Sequence, residues 1–298
     1  METDTVLECD LLVLGSGIAG LRAALEAAGR GWRVLVANKD LIRESNTDYA
    51  QGGIAAAMDP GDSPADHLLD TLQAGDGLCD KEAVQVLVED GPKRIRELIT
   101  WGAQFDLHSG SLHFTREAAH SRNRILHSHG DATGRELSRV LVLRAGATPE
   151  IQVFPFHSGL ALILEEGRCT GAWLLDERTN RPAAVKSRAV VIATGGVGRL
   201  FKESTNPSVA TGDGIAMALE AGTVLSNLEF VQFHPTALFM KNAPRFLLSE
   251  SMRGEGALLR NVHGETFMHR YHPDAELAPR DVVSRAVVLE IKATRAQN

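Results

Sequence analysis

The chain has 298 residues, enough for two domains and a large core, and 44% of them are hydrophobic, an ordinary share for a globular protein. A formal charge of −7 argues against a nucleic-acid binder, which is usually basic, while leaving room for a local basic pocket. Cys9, Cys79 and Cys169 are odd in number, far apart and form no CxxC pair, which disfavours a disulfide framework or a metal site and suits a reducing compartment. The acidic start METDTVLECD lacks the layout of a signal peptide. No uncharged apolar run reaches the roughly 18 residues of a spanning helix. A cytoplasmic protein with no membrane, nucleic-acid or metal partner is expected.

Residues 9–14 predict a short buried strand, followed by GSGIAG at 15–20 and a helical pattern over 21–29. A second buried strand is expected at 32–36, completing a compact βαβ start. Residues 41–62, rich in Gly, Asn and Asp, read mostly as loop. Helical spacing returns at 64–75 and 81–101. Residues 108–131 are polar, basic and rich in histidine, a poor core candidate. A helix is expected at 133–144, then strands at 151–165 and 170–176 with a turn at Glu166-Gly167, and a buried strand at 189–193. Gly212-Asp213-Gly214 opens a helix over 212–221. From about Glu229 the pattern breaks into short apolar pieces interrupted by Pro, Gly and His, so the expected domains are 1–228 and 229–298.

The first glycine motif has a clear physical logic. Gly15 allows a tight turn, Gly17 lets a pyrophosphate approach the backbone, and Gly20 lets helix and strand pack closely. The helix N-terminus then faces the phosphates. The second strand ends in ANKD (37–40), where the NAD fingerprint expects a ribose-binding acid. Asn38 and Lys39 stand there instead, so another way of holding the ribose is open; Lys39 reads equally as a solvated charge. VVIATGGVG (190–198) is a strand ending in glycines, suited to close backbone approach by a ligand or to a crowded crossover. Asp213 reads as an acid favoured by the helix dipole or as a carboxylate bonding a flavin hydroxyl.

His108, His113, His120, His127 and His129 crowd one segment with Arg116, Arg122 and Arg124 but form no HExxH-type pattern. Cationic contacts to an anionic ligand or cofactor are expected there rather than a metal. FHPTALF (233–239), LLSESMRGEGALLRN (247–261) and APRDVVSRAV (278–287) bring a His, a hydroxyl beside a carboxylate, and two arginines into about fifty residues. Singly, His234 reads as a core or turn histidine, Ser249 and Glu250 as helix caps, and Arg280 with Asp281 as a local ion pair. Together they suit a small dicarboxylate.

These segments, with SNTDYAQGGIAAA (45–57), resemble the flavoproteins of succinate dehydrogenase, fumarate reductase and L-aspartate oxidase over essentially the whole chain. The stretch FTREAAHSRNRILHSHGDATG (114–134) resembles the L-aspartate oxidase branch. The resemblance implies an α/β fold: a Rossmann-like FAD-binding domain with an inserted α+β capping domain, here truncated. Asn46 lies where respiratory members carry a flavin-linked histidine, which implies non-covalent FAD. It implies FAD contacts from Gly15, Ser16, Gly17, Ile18, Ala19, Gly20, Lys39, Asp213 and the 46–53 loop, namely Asn46, Thr47, Ala50, Gln51, Gly52 and Gly53. Gln232, His234, Ser249 and Glu250 are implied to contact the substrate or shape its pocket. Ser249 is a mild departure from the more common Thr. Glu117 is implied to face the substrate's ammonium group, and Arg280 to shuttle a proton, with Arg280, His234 and Glu117 as the catalytic set.

The implied reaction is oxidation of L-aspartate to iminoaspartate with oxygen or fumarate as acceptor, the first step of NAD synthesis through quinolinate, with quinolinate synthase as a possible partner. A fumarate reductase or succinate dehydrogenase flavoprotein, or a non-catalytic flavin-binding piece, are the alternatives. The family pattern continues past Asn298 with another substrate His, another substrate Arg, a last FAD-binding segment and a helical domain. This chain is therefore expected to be an N-terminal part.

Overall fold

The computed structural model describes residues 6–241, 243 and 245–294. They form two compact units. One comprises the described residues up to Ala50 with Gly134–Val231; the other comprises Gln51–Thr133 with the described residues from Gln232 onward. The chain changes unit close to the boundary expected at Glu229. Residues 51–133, expected within the first domain, group instead with those after 231.

The first unit is built on a six-stranded sheet. Its strands are β1 (Val6–Leu14), β2 (Val34–Asn38), β3 (Ile151–Pro155), β4 (His157–Glu165), β5 (Arg168–Asp176) and β6 (Arg181–Ile192). Their order is β3-β2-β1-β6-β5-β4. β1 is parallel to β2 and β6, and β2 to β3, whereas β5 is antiparallel to both β4 and β6. β2 is buried along its whole length, as an apolar parallel strand between covered faces requires. It starts two residues later than expected and carries Ala37 and Asn38 within the ladder.

Two strand expectations differ from the structure. The single strand at 151–165 is broken at Phe156, whose φ of 59° turns the chain. β3 joins the parallel edge and β4 starts an antiparallel meander that returns through β6 to pair with β1. β6 begins at Arg181, eight residues before the expected strand at 189, because its first half pairs with β5 as well as β1. Leu12, Leu14, Leu35, Ala172, Leu174 and Val185 form the core beneath the meander, closed by Met217 from the helix Asp213–Glu220.

In the second unit the helices Pro64–Ala74 and Lys81–Thr100 are capped by Ser63 and Asp80, whose side chains accept N–H groups of the first turn. Ile125–Leu126 pairs with Ile54–Ala55 and with Phe114–Thr115. The segment 108–131 is mostly exposed or half-buried, as expected of a poor core candidate, except around residues 124–128. Arg124, Ile125, Leu126 and Ser128 are all buried, and Arg124 is 0% exposed. Arg124 donates to both carboxylate oxygens of Asp62 at 2.8 Å and to Asp70 at 2.6 Å. Its charge is neutralised inside the unit, not offered to a ligand. Further along, Phe267, Met268, Ala278, Val283 and Ala286 pack around the helix Arg280–Thr294. No helix among the described residues is long and apolar enough to cross a membrane.

Candidate functional site

The end of β1 makes a cradle in the first unit. Gly15 sits at φ 106°, and a Cβ there would lie 2.3 Å from Ala193 O; one on Gly20 would lie 2.0 Å from Gly15 O. Only glycine permits this packing of strand, turn and helix. The helix Ile18–Ala28 starts at Gly17 with no side-chain cap and no acid in its first turn. Thr47 Oγ1 accepts the Ile18 N–H at 3.0 Å. The remaining N–H groups and the helix dipole suit an anion.

A cavity of about 220 Å³ opens at this turn, lined by Gly15, Ser16, Gly17, Ile18, Ala19, Lys39, Asn46, Thr47 and Asp213 among others. Lys39 Nζ bonds the Asp213 carboxylate at 2.6 Å and also the Thr211 hydroxyl, joining two residues 174 positions apart. Asn38 also lines the cavity, and its amide donates to Asp40 O and Leu41 O, closing the turn after β2. Ser16 Oγ donates to Ile42 O at 2.6 Å. Gly20 is packed beneath the turn, and Ala50, Gln51, Gly52 and Gly53 do not line the cavity. Ala50 O accepts the Gly134 N–H, and a Cβ on Gly53 would lie 2.2 Å from Ile125 Cγ2. Gln51 Oε1 is buried with no hydrogen-bond partner. A glycine turn, a helix start with no acid in its first turn, a cavity, and a cation–carboxylate pair able to meet hydroxyls fit a dinucleotide such as FAD.

A polar cluster occupies the second unit. The Arg280 guanidinium donates through Nε to Glu250 and through Nη1 to Gln232 Oε1 at 3.1 Å. Asp281 pairs instead with Arg285 at 2.7 Å, so the local Arg280–Asp281 pair does not form. Ser284 Oγ donates to Phe233 O, docking the helix Arg280–Thr294 on the FHPT segment. Glu250 is buried, and Arg253 Nη2 lies 3.7 Å from its carboxylate. Arg253 is 4% exposed; its Nη1 donates to Glu276 O at 2.7 Å, while Nε and Nη2 make no hydrogen bond. Burial lowers the Arg253 pKa from the ordinary arginine value, Glu250 opposing and Arg280 adding to the shift. The charge of Glu117 also reaches Arg253. Glu117 itself lies 3.5 Å from His127 Nε2, which is 3.0 Å from Thr115 Oγ1. Ser249 is half-buried, one residue before Glu250.

Residues overlooked in the sequence join these groups. Thr211 completes the Lys39–Asp213 pair, Thr194 Oγ1 accepts the Gly214 N–H at 3.1 Å, and Thr236 contacts His234. Their only sequence signal is adjacency to the TGDG, ATGG and FHPT motifs. His120 Nδ1 lies 3.3 Å from Arg124 Nη1, so this histidine belongs to the buried Arg124 network.

A family described as FAD binding domain matches residues 10–298. The L-aspartate oxidase of Nostoc sp. is 49% identical over 287 residues, covering 96% of this chain and 49% of that protein. The chloroplastic L-aspartate oxidase of Arabidopsis thaliana is 46% identical over 297 residues, covering 95% and 45%. Among solved structures, E. coli quinol fumarate reductase FrdA superposes with a TM-score of 0.90 at 32% identity, covering 97% of this chain and 51% of that one. The chain spans about half the length of the relatives it matches.

Proposed function

This chain belongs to the FAD binding domain family, and from that footing we propose that it is part of an L-aspartate oxidase. The reaction is oxidation of L-aspartate to iminoaspartate, with oxygen or fumarate taking the electrons, at the entry to NAD synthesis through quinolinate. Bound FAD would supply the hydride-accepting ring. Residues 1–228 supply its domain, the turn at Gly15 and the start of the helix Ile18–Ala28 hold the pyrophosphate, and Lys39 and Asp213 meet its hydroxyls. Asn46 offers no imidazole nitrogen for a covalent link, so the cofactor is held non-covalently.

Residues 229–298 begin the capping, substrate-binding domain. Gln232, His234, Ser249 and Glu250 contact the substrate or shape its pocket. Arg280 passes one N–H proton to Glu250 and takes one from the substrate, and the buried Arg253 accepts the proton held by Glu250 after releasing one of its own to solvent. The lowered pKa of Arg253 makes that exchange less uphill than for a free arginine.

One observation favours an amino dicarboxylate over succinate: a carboxylate, Glu117, stands within electrostatic reach of Arg253 in an arginine-bearing cluster. An acid there attracts an ammonium group and repels a substrate bearing only carboxylates. The relatives named L-aspartate oxidase support the same reading. The protein is read as cytoplasmic, with quinolinate synthase as a partner that consumes the product.

The test is a visible absorbance scan of the purified full-length protein, with L-aspartate or succinate then added without oxygen. Bleaching of the flavin bands by aspartate supports the proposal. Bleaching by succinate alone overturns it in favour of a succinate dehydrogenase or fumarate reductase flavoprotein, which the likeness to FrdA favours. Yellow protein that neither compound bleaches points to a flavin-binding piece without catalysis.

A further inference from the structure

The main chain at Glu117 is held from both sides. The His120 N–H donates to Glu117 O at 3.3 Å, closing a turn in which Ala119 takes φ 65°. Beyond that turn Ser121 donates its N–H and its hydroxyl to Asp70, each at 2.8 Å, and Asp70 is bonded to the buried Arg124. Before it, Thr115 O accepts the Arg124 N–H at 3.1 Å. What the backbone leaves open is the Glu117 rotamer, and an unrestrained glutamate spreads its carboxylate over many of them. His127 limits that freedom. Its Nε2 lies 3.5 Å from Glu117 Oε1 and 3.0 Å from Thr115 Oγ1. A bare ring nitrogen would turn its lone pair on the carboxylate, so the proton belongs on Nε2. Thr115 then accepts it and donates its own hydroxyl to Ile125 O at 3.5 Å. The ring is itself fixed. The His127 carbonyl accepts the Asp106 N–H at 2.8 Å, and a Cβ on Gly53 would come within 3.0 Å of His127 Cε1.

We infer that His127 is a positioning residue for Glu117: its Nε2–H holds the carboxylate where that acid meets a substrate's ammonium group. The inference rests on the reading of Glu117 as the ammonium-facing acid. The contact differs in kind from the one that consumes Arg124. That guanidinium takes both oxygens of Asp62 at 2.8 Å. The imidazole reaches Glu117 through one N–H at 3.5 Å, which directs the carboxylate without claiming both its oxygens. His127 thus favours an amino dicarboxylate through Glu117, and a ligand without an ammonium group gains nothing from it.

The test compares His127→Phe, which keeps a ring and loses the donor, with His127→Gln, which keeps an N–H where Nε2 stood, in the full-length protein. His127→Phe should raise KM for aspartate by about fivefold or more while kcat changes by less than about twofold. Succinate affinity, read from the shift succinate causes in the flavin spectrum, should stay at the parent value, and His127→Gln should restore most of the aspartate KM. On a Glu117→Gln background, His127→Phe should add nothing further. Equal losses for aspartate and succinate, an unchanged KM, or full additivity with Glu117→Gln overturns the inference. Nitrogen–proton correlation NMR on protein grown with isotope-labelled histidine reads the contact without turnover, His127→Gln identifying the signals by their loss. Nε2 should be protonated, and its signal should move in Glu117→Gln. A bare Nε2, or a signal that Glu117→Gln leaves in place, overturns the contact and leaves the aspartate reading standing. A parent protein inert towards aspartate sinks that reading and the ammonium role with it, while the spectrum still decides whether His127 holds Glu117.

Discussion

Arg280 is bonded to Glu250, thirty residues earlier in the chain, and not to its neighbour Asp281. A helix places residues i and i+1 about 100° apart, so adjacent side chains do not face each other. Asp281 turns to Arg285 one helical turn on, and Arg280 is left for the buried carboxylate. If this contact carries proton transfer, Glu250→Gln in the full-length protein lowers turnover of aspartate by about a hundredfold or more. Loss of affinity at unchanged kcat would assign Glu250 to binding alone.

Glu117 is the charge proposed to discriminate between the substrates. Glu117→Gln should weaken aspartate oxidation by about tenfold or more, an ion pair's worth of binding, while fumarate reduction changes little. Paired steady-state measurements on the two substrates check this. Equal losses on both would remove the ammonium-recognition role.

The cradle depends on backbone geometry. Gly15→Ala forces a side chain into φ 106° and within 2.3 Å of Ala193 O. Left-handed backbone alone costs about 1–2 kcal/mol for an ordinary residue. FAD affinity should fall by at least about tenfold, read by flavin fluorescence titration. Unchanged affinity would separate the glycine turn from cofactor binding.

Arg124 is fully buried between Asp62 and Asp70. Removing one member of a buried ion pair strands the others, at a cost of about 3–5 kcal/mol. Arg124→Ala should destabilise the protein on that scale in urea denaturation. The triple change Arg124→Met, Asp62→Asn and Asp70→Asn should recover part of the loss. A single variant within about 0.5 kcal/mol of the parent would mean that water already solvates the group.

Acid should act in two stages. Burial lowers the pKa values of His67, His120 and His234 from the ordinary histidine value. The unfolded chain therefore takes up protons first as pH falls through about 6.5, and stability drops from there towards the lower folded values. Asp70 adds a second loss below about pH 4. Burial alone would raise its pKa, but the Ser121 backbone and hydroxyl bonds and Arg124 outweigh it and hold it down. Denaturation curves at several pH values check this. A stability flat between about pH 7 and pH 5 would show these histidines to be solvated.

Much of the architecture was legible along the chain because it is local. Ser63 and Asp80 sit where helix caps belong, and the helices at 64 and 81 begin there. The run 9–14 is apolar and lies inside a central parallel strand. The glycines at 15 and 20 stand where backbone atoms nearly touch. What escaped was decided by partners remote in sequence. Residues 181–188 alternate too weakly to show as a strand, and become one by pairing on both sides. Nothing local marks Phe156 as the point where the chain leaves one sheet edge for the other.

The motif spacing alone established that a dinucleotide turn opens the chain and that a His, a hydroxyl, a carboxylate and arginines gather after 231, since glycine geometry and side-chain chemistry are properties of the residues themselves. Which charges remain for a ligand was settled by three-dimensional packing. Arg124, the most basic-looking feature of its segment, is consumed by two aspartates more than fifty residues away, while Lys39 meets Asp213 across 174. A charge's partner depends on distance through space, and in a folded chain that distance carries little memory of separation along the backbone.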